Sequence, residues 1–431
     1  MTNRTIRWGE PGCTPGSFGT SRSASRGREP SVSGTATLMA DGSATPLAAE
    51  EAVGPRRILL VAGEASGDLH GADLVRALRR IVPDLEIVGL GGERLRQAGV
   101  RTVADVTDVA TVGVIEAVGR LGKLARTYFT LARMVRRDRP DLVILIDFPE
   151  FNLRLARVAN RAGIPVFYYI GPQVWAWRRG RVRTVARTVD ALALVFPFEP
   201  PLYASQCREA EFVGHPLLDS VGATRRREDT LRLYGLDTER VTVALLPGSR
   251  GKEIRYVLPR MLTAAEILER ERGCQFALAL AETVERSEVE AQVVRSGVQV
   301  RLIERDTYNL IHAADLVLVA SGTATLETAL LERPMVIVYR LSMVSYALAR
   351  MLVGVKFIGI PNIVRGRQVV PELVQGLATG TRIAAAARSI LDDSDTRHRM
   401  VRELAEVRSA LGSGGAAARA AEMAGRLLGA A

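Results

Sequence analysis

Cysteine is scarce in this 431-residue chain: Cys13, Cys207 and Cys274 are widely spaced and form no CxxC pair. An odd, scattered set argues against a disulfide framework or a zinc knuckle and favours a reducing compartment. Histidine is equally sparse. His70, His215, His312 and His398 fall into no HExxH or other ligand spacing, so no metal site is expected. No run of about 18 apolar residues occurs, so no membrane-spanning helix is expected. The N-terminus also lacks the apolar stretch of a secretory signal. Aromatics make up only 5% of residues, and lysine is nearly missing, at Lys123, Lys252 and Lys356. With neither a lysine-rich arm nor aromatics interleaved among basic residues, nucleic acid is a poor candidate partner.

What is present is a strongly basic, apolar-rich body. The formal net charge is +11, and 47% of residues are hydrophobic. In residues 1–55, five arginines (Arg4, Arg7, Arg22, Arg26, Arg28) balance five acids (Glu10, Glu29, Asp41, Glu50, Glu51), so the whole excess sits on residues 56–431. Such a body suits an anionic bilayer or phosphorylated substrates. The length accommodates a tail and two α/β domains.

Residues 1–54 are rich in Gly, Ser, Thr, Pro and Arg without apolar periodicity, and they read as disordered. Met39 offers an alternative start that would make residues 1–38 a mis-called extension. An organellar transit peptide is the rival reading. From Arg56 onward strand and helix patterns alternate. Strands are expected at Arg57–Ala62, Glu86–Leu90, Asp141–Asp147, Val166–Ile170 and Ala191–Val195, with helices at Gly71–Val82 and Asn152–Ala162. The polar stretch Ala223–Asp237 reads as a linker. A second alternation follows at Val241–Leu246, Cys274–Leu280, Val298–Leu302, Leu316–Ala320 and Pro334–Tyr339. The expected fold is therefore α/β, with two Rossmann-like, doubly wound parallel-sheet domains and a cleft between them. Their expected spans are residues 55–222 and 223–380, with helices closing the chain over 381–431. In such sheets ligands bind beyond the carboxyl ends of the strands.

The turns after those strands carry the chemistry. Gly63-Glu64-Ala65-Ser66-Gly67-Asp68 opens a helix, and its glycines permit close backbone approach. Its acids, Glu64 and Asp68, together with Ser66 favour sugar hydroxyls, which suggests acceptor binding. Helix capping by Ser66 or Asp68 is the plainer alternative. GLGG at Gly89–Gly92 has Arg94 where a dinucleotide fingerprint needs glycine. Asp147 ends an apolar strand, with Glu150 three residues on, and is well placed to act as a general base if it does not merely cap the next helix. Gly248, Ser249 and Arg250 suit a pyrophosphate, or else form a glycine turn with a solvated arginine. Ser321, Gly322 and Thr323 open a helix and favour phosphate. Glu327, one turn on, is placed for a ribose unless it only completes a capping box. Val112, Val114, Ile115, Val118, Leu121 and Leu124 make an apolar stripe edged by Arg120, Lys123 and Arg126. That stripe suits an anionic membrane surface or a packed core helix. The stretch Leu341–Phe357 is a second such candidate. His215 falls near the linker, and Asp393-Ser394-Asp395 reads as a solvated helix start rather than a metal motif.

In this order the motifs resemble the lipid-A-disaccharide synthase family. The matching segments are GEASGD (63–68), VGVIEAVGRL (112–121), IDFPEFN (146–152), PQVWAW (172–177), FPFE (196–199), GHP (214–216), LLPGSR (245–250), SGTATLE (321–327) and IPN (360–362). The resemblance spans about Arg56 to Gln375. It implies a GT-B fold and an inverting, metal-independent, cofactor-free glycosyl transfer. The implied donor is UDP-2,3-diacylglucosamine, the acceptor 2,3-diacylglucosamine 1-phosphate, and the product a β-1,6-linked disaccharide phosphate. It assigns Asp147 as base, Arg250 and residues 321–323 to the pyrophosphate and Glu327 to the ribose. Asn362 and Gln375 are assigned to the donor site and the 112–124 stripe to the membrane. Glu150 departs from the family's frequent aspartate and is left in support. The resemblance further implies a cytoplasmic protein, peripheral on the inner face of the inner membrane, with a homodimer as one assembly. Two rivals stand beside it: a GT-B UDP-N-acetylglucosamine 2-epimerase, and a non-catalytic lipid-binding protein.

Overall fold

Apolar runs of four to seven residues, each closed by a turn and followed by a helix, pair here as parallel strands buried on both faces. The computed structural model describes residues 55–105, 117–175, 179–341 and 356–430, all within one unit, Val53–Ala431. The first sheet contains β1 (Arg56–Ala62), β2 (Leu85–Gly91), β3 (Arg101–Asp105), β4 (Leu142–Ile146), β5 (Val166–Tyr169), β6 (Ala191–Leu194) and β7 (Glu209–Phe212), in the spatial order 3-2-1-4-5-6-7. The second contains β8 (Thr242–Leu246), β9 (Gln275–Leu280), β10 (Val300–Glu304), β11 (Leu316–Ala320), β12 (Met335–Tyr339) and β13 (Glu372–Val374), in the order 10-9-8-11-12-13. Among the described residues, every strand pairing in both sheets is parallel.

The first-half helices that matter here are α1 (Ala65–Ile81), α2 (Glu93–Gln97), α3 (Ala117–Arg137) and α4 (Pro149–Arg161). The central strands lie within a residue or two of their expected places, because a fully buried strand is a continuous apolar run. β3, β7 and β13 were not expected. They are outermost in their sheets and mostly half-exposed, so they lack that run. The stretch Ala223–Asp237, expected as a linker, contains the helix Arg227–Leu233, which buries Thr230 and Leu231. Arg227 ties it to Asp315 at 2.9 Å, and Arg225 pairs with Asp306.

The chain's end returns to the first sheet. The helix Ala416–Leu427 packs on α1 through small buried residues, among them Ala420, Ala421 and Ala424. Arg419 bonds the Val213 carbonyl at 2.9 Å, and Asp219 accepts the Gly415 N–H at 2.8 Å. Asp393 caps the helix Ser394–Ala410, as a solvated helix start should.

Candidate active site

Strand order reverses at one place in each sheet, between β1 and β4 and between β8 and β11, and ligands bind outside the carboxyl ends at such points. All four turns singled out in the sequence leave those strands. Ala62 pairs with Ile146, so Gly63 and Asp147 emerge side by side. Leu246 pairs with Val319, which brings the Gly248 turn beside the Ser321 turn.

In the first half, Asp147 and Phe148 have φ of 46° and 48°, two successive non-glycine residues in the left-handed region. The Phe148 ring lies against Gly63, where a Cβ would come within 2.2 Å of it, so glycine is required there. Asp147 is half-buried. Burial, and secondarily the neighbouring Glu64 carboxylate, push its carboxyl up to about 6 against a weaker downward pull from the Phe148 N–H. A carboxylate with that affinity for protons suits general-base chemistry near neutral pH. Glu64 and Ser66 are exposed at the start of α1, next to it. Glu150 pairs with Arg181 at 2.7 Å.

In the second half, a cavity of about 400 Å³ is lined by Gly248, Ser249, Arg250, Ser321, Gly322, Thr323 and Glu327, among others. Its size lies within the range of small-ligand sites. Gly248 has φ 113°, and a Cβ there would meet the Glu253 carboxylate at 2.6 Å. The Ser249 carbonyl is anchored by the Thr283 hydroxyl at 2.6 Å. The Arg250 side chain is 76% exposed, with Glu253 at 3.5 Å as a loose partner, so its guanidinium can turn to an anion. Gly322, at φ 146°, precedes the helix Thr323–Leu330, and nothing lies within 4 Å of where its Cβ would be. Backbone can therefore approach a ligand closely at a helix N-terminus. Glu327 is half-buried, its carboxyl raised by burial, and accepts the Tyr308 hydroxyl at 3.0 Å. Tyr308 carried no sequence signal.

Three expected binding residues have other work. The buried Asp68 carboxylate accepts from the backbone N–H groups of Gly92 (2.6 Å), Arg94 (3.0 Å) and Leu95 (3.2 Å). It thus satisfies the first turn of α2 rather than a sugar hydroxyl, or its own helix. The Asn362 side chain is fully buried, donates to the Val370 carbonyl and Glu372, and accepts from Val369 and Val370 N–H. Glu372 in turn accepts from Ile358 and Gly359 N–H at 2.9 Å, and the Ile358 carbonyl accepts the Ser321 hydroxyl at 3.1 Å. Asn362 is therefore tied to the Ser321 turn through a loop, with both of its side-chain polar atoms already bonded. The Gln375 amide is tied to both backbone groups of Leu341.

His215 is buried against Phe196, accepts the Leu217 N–H at 3.2 Å, and is pushed down to about 3 chiefly by burial. Nearby, Glu199 is 1% exposed and accepts from Trp175 Nε1 and the N–H groups of Val195 and Phe196. It ties Trp175 to the start of the FPFE segment. Of the apolar stripe, Val112, Val114 and Ile115 lie outside the described residues, as do the side chains of Val118 and Leu121. Leu124, on α3, is half-buried against the first half's core, whereas Phe129 on that helix is 68% exposed. The second stripe, residues 341–357, lies largely outside the described residues. Among the described residues no helix is long and apolar enough to cross a membrane, and no cluster of three or more His, Cys, Asp or Glu could hold a metal ion.

Comparisons with known proteins bear on family and fold. The family model described as lipid-A-disaccharide synthetase matches residues 58–422. A lipid-A-disaccharide synthase of Syntrophus aciditrophicus is 50% identical over 370 residues, covering 85% of this chain and 96% of its own length. Another, from Geobacter metallireducens, is 45% identical over 375 residues, covering 87% and 98%. Among solved structures, a UDP-GlcNAc 2-epimerase from Neisseria meningitidis bound to UDP-GlcNAc superposes with a TM-score of 0.60 at 12% identity, covering 86% of this chain and all of its own. Acinetobacter baumannii MurG gives 0.52 at 14%, covering 86% and 99%. These likenesses are of fold, and the fold is GT-B.

Proposed function

The chain belongs to the lipid-A-disaccharide synthase family of glycosyltransferases, in lipid A biosynthesis, and from that membership we propose how its own residues carry out the transfer. UDP-2,3-diacylglucosamine is the donor and 2,3-diacylglucosamine 1-phosphate the acceptor. The acceptor's 6-hydroxyl is neutral and a poor nucleophile, so Asp147 takes its proton as the oxygen attacks the anomeric carbon. The bond from that carbon to the diphosphate breaks, UDP departs, and a β-1,6 linkage forms. Negative charge growing on the diphosphate meets the Arg250 guanidinium and the N–H groups at the start of the helix Thr323–Leu330. Glu327 accepts the ribose hydroxyls, and Glu64 and Ser66 contact the acceptor sugar. Both substrates are acylated, so the protein works at a membrane surface, reached through its basic body and the 112–124 stripe on the inner face of the inner membrane.

One observation supports this reading most directly: a carboxyl raised to about 6 stands at the switch point of one sheet, while an anion-ready cavity stands at that of the other. The epimerase alternative rests on a 12% likeness, which speaks to fold alone. The test is incubation of the purified protein with both acylated substrates, followed by mass spectrometry with and without EDTA. Disaccharide phosphate and UDP should appear at the same rate in both. Absence of disaccharide there, or conversion of UDP-N-acetylglucosamine to UDP-N-acetylmannosamine in a parallel incubation, would overturn the proposal.

A further inference from the structure

The peptide groups on both sides of Asp147 are pinned. Its N–H donates to the Tyr169 carbonyl at 3.3 Å, the last bond of the β4–β5 ladder. Its carbonyl accepts two bonds, from the Tyr168 hydroxyl at 2.5 Å and the Asn152 amide at 2.7 Å. The same Asn152 nitrogen reaches the Ile146 carbonyl at 3.1 Å. Two carbonyl acceptors can be met only by the NH₂ end of the amide, which settles its orientation. Asn152 is 0% exposed, and its own Oδ1 is left buried without a partner. An orphaned buried acceptor is unfavourable, and here it goes with holding a donor on those carbonyls. The backbone so held is the left-handed pair at φ 46° and 48°, a conformation that L-residues rarely keep unless the surroundings over-determine it.

Relaxing that turn would swing the Cα–Cβ bond of Asp147 and carry its carboxylate away from the end of β4. Resting on the reading of Asp147 as base, we infer that Tyr168 and Asn152 are positioning residues for the glycosyl transfer, aiming the base through its backbone without touching substrate.

Tyr168→Phe removes one hydroxyl and no ring. The control is Tyr169→Phe, next along the same strand, whose buried hydroxyl has no hydrogen-bond partner. In the full-length protein, Tyr168→Phe should lower kcat about tenfold with donor KM within about twofold, while Tyr169→Phe leaves both unchanged. The second readout needs no turnover: the Asp147 carboxyl is followed by ¹³C NMR, assigned by its loss in Asp147→Asn. Its titration midpoint should move by about 0.5 pH in Tyr168→Phe and stay in place in Tyr169→Phe. If Asp147→Asn turns over normally, the base reading falls, while the titration still decides whether Tyr168 holds this carboxyl. An unmoved midpoint in Tyr168→Phe, or equal effects of the two phenylalanines, would overturn the inference.

Discussion

Replacing Asp147 by asparagine should remove the activity and stabilise the protein at once. Burial, helped by the Glu64 charge, raises this carboxyl from its ordinary 3.8 to about 6, so the folded state binds its proton more tightly than the unfolded chain does. Between those two values the native state carries more protons, and stability therefore falls as pH rises through the window. Above about pH 6 the penalty is complete, and at pH 8 it amounts to about 3 kcal/mol if the whole displacement is electrostatic. At pH 5 about half of it remains. Asparagine keeps the size of the side chain, can still accept the Phe148 N–H, and carries no charge. Asp147→Asn should accordingly gain up to about 3 kcal/mol at pH 8 and about half as much at pH 5, read as a rise of a few degrees in Tm and confirmed by urea unfolding. Disaccharide formation should vanish in the same preparation while UDP still binds. Such exchange of stability for activity is expected where a site holds a group in an unfavourable setting. A variant equally or less stable than wild type at pH 8, or a gain independent of pH, would refute the electrostatic account. Near-normal turnover would remove Asp147 as base.

Glu327→Gln keeps an acceptor for Tyr308 but removes the charge offered to the ribose. UDP affinity measured by calorimetry should fall about tenfold, and an unchanged Kd would take Glu327 out of the nucleotide site. Glu199→Leu leaves three buried N–H donors unanswered, at about 1–3 kcal/mol each. It should lower Tm sharply or prevent folding, and a melt like wild type would contradict the role given to Glu199. Val114→Ser with Leu121→Ser should reduce sedimentation with anionic vesicles at unchanged Tm. Full sedimentation would mean that the stripe does not dock on lipid.

The central strands and the turns that follow them were readable because both signals are local: a fully buried parallel strand is an apolar run, and a glycine turn before a helix is punctuation. The edge strands β3, β7 and β13 escaped because half-exposed residues carry no such run. Acidic and amide residues in the motifs were the least legible part. Asp68 looked like a ligand contact or a cap for its own helix, and it closes α2, whose first N–H groups lie 24 to 27 positions downstream. Asn362 looked like part of a donor site and became a staple for the loop behind the Ser321 hydroxyl.

Order along the chain was enough to indicate two Rossmann-like units, the family, and the turns in which chemistry would be found, since those depend on neighbours within a few residues. Strand pairing alone decided that β1 meets β4 and β8 meets β11, which gathers the four turns at two switch points. Packing alone decided which carboxyls stay free. A buried acid is claimed by whatever N–H groups the fold brings to it, as Asp68 and Glu199 are. Asp147 has a raised proton affinity through burial and the neighbouring Glu64 charge, while Tyr168 and Asn152 bond its carbonyl and leave its carboxylate to the cleft side of the turn.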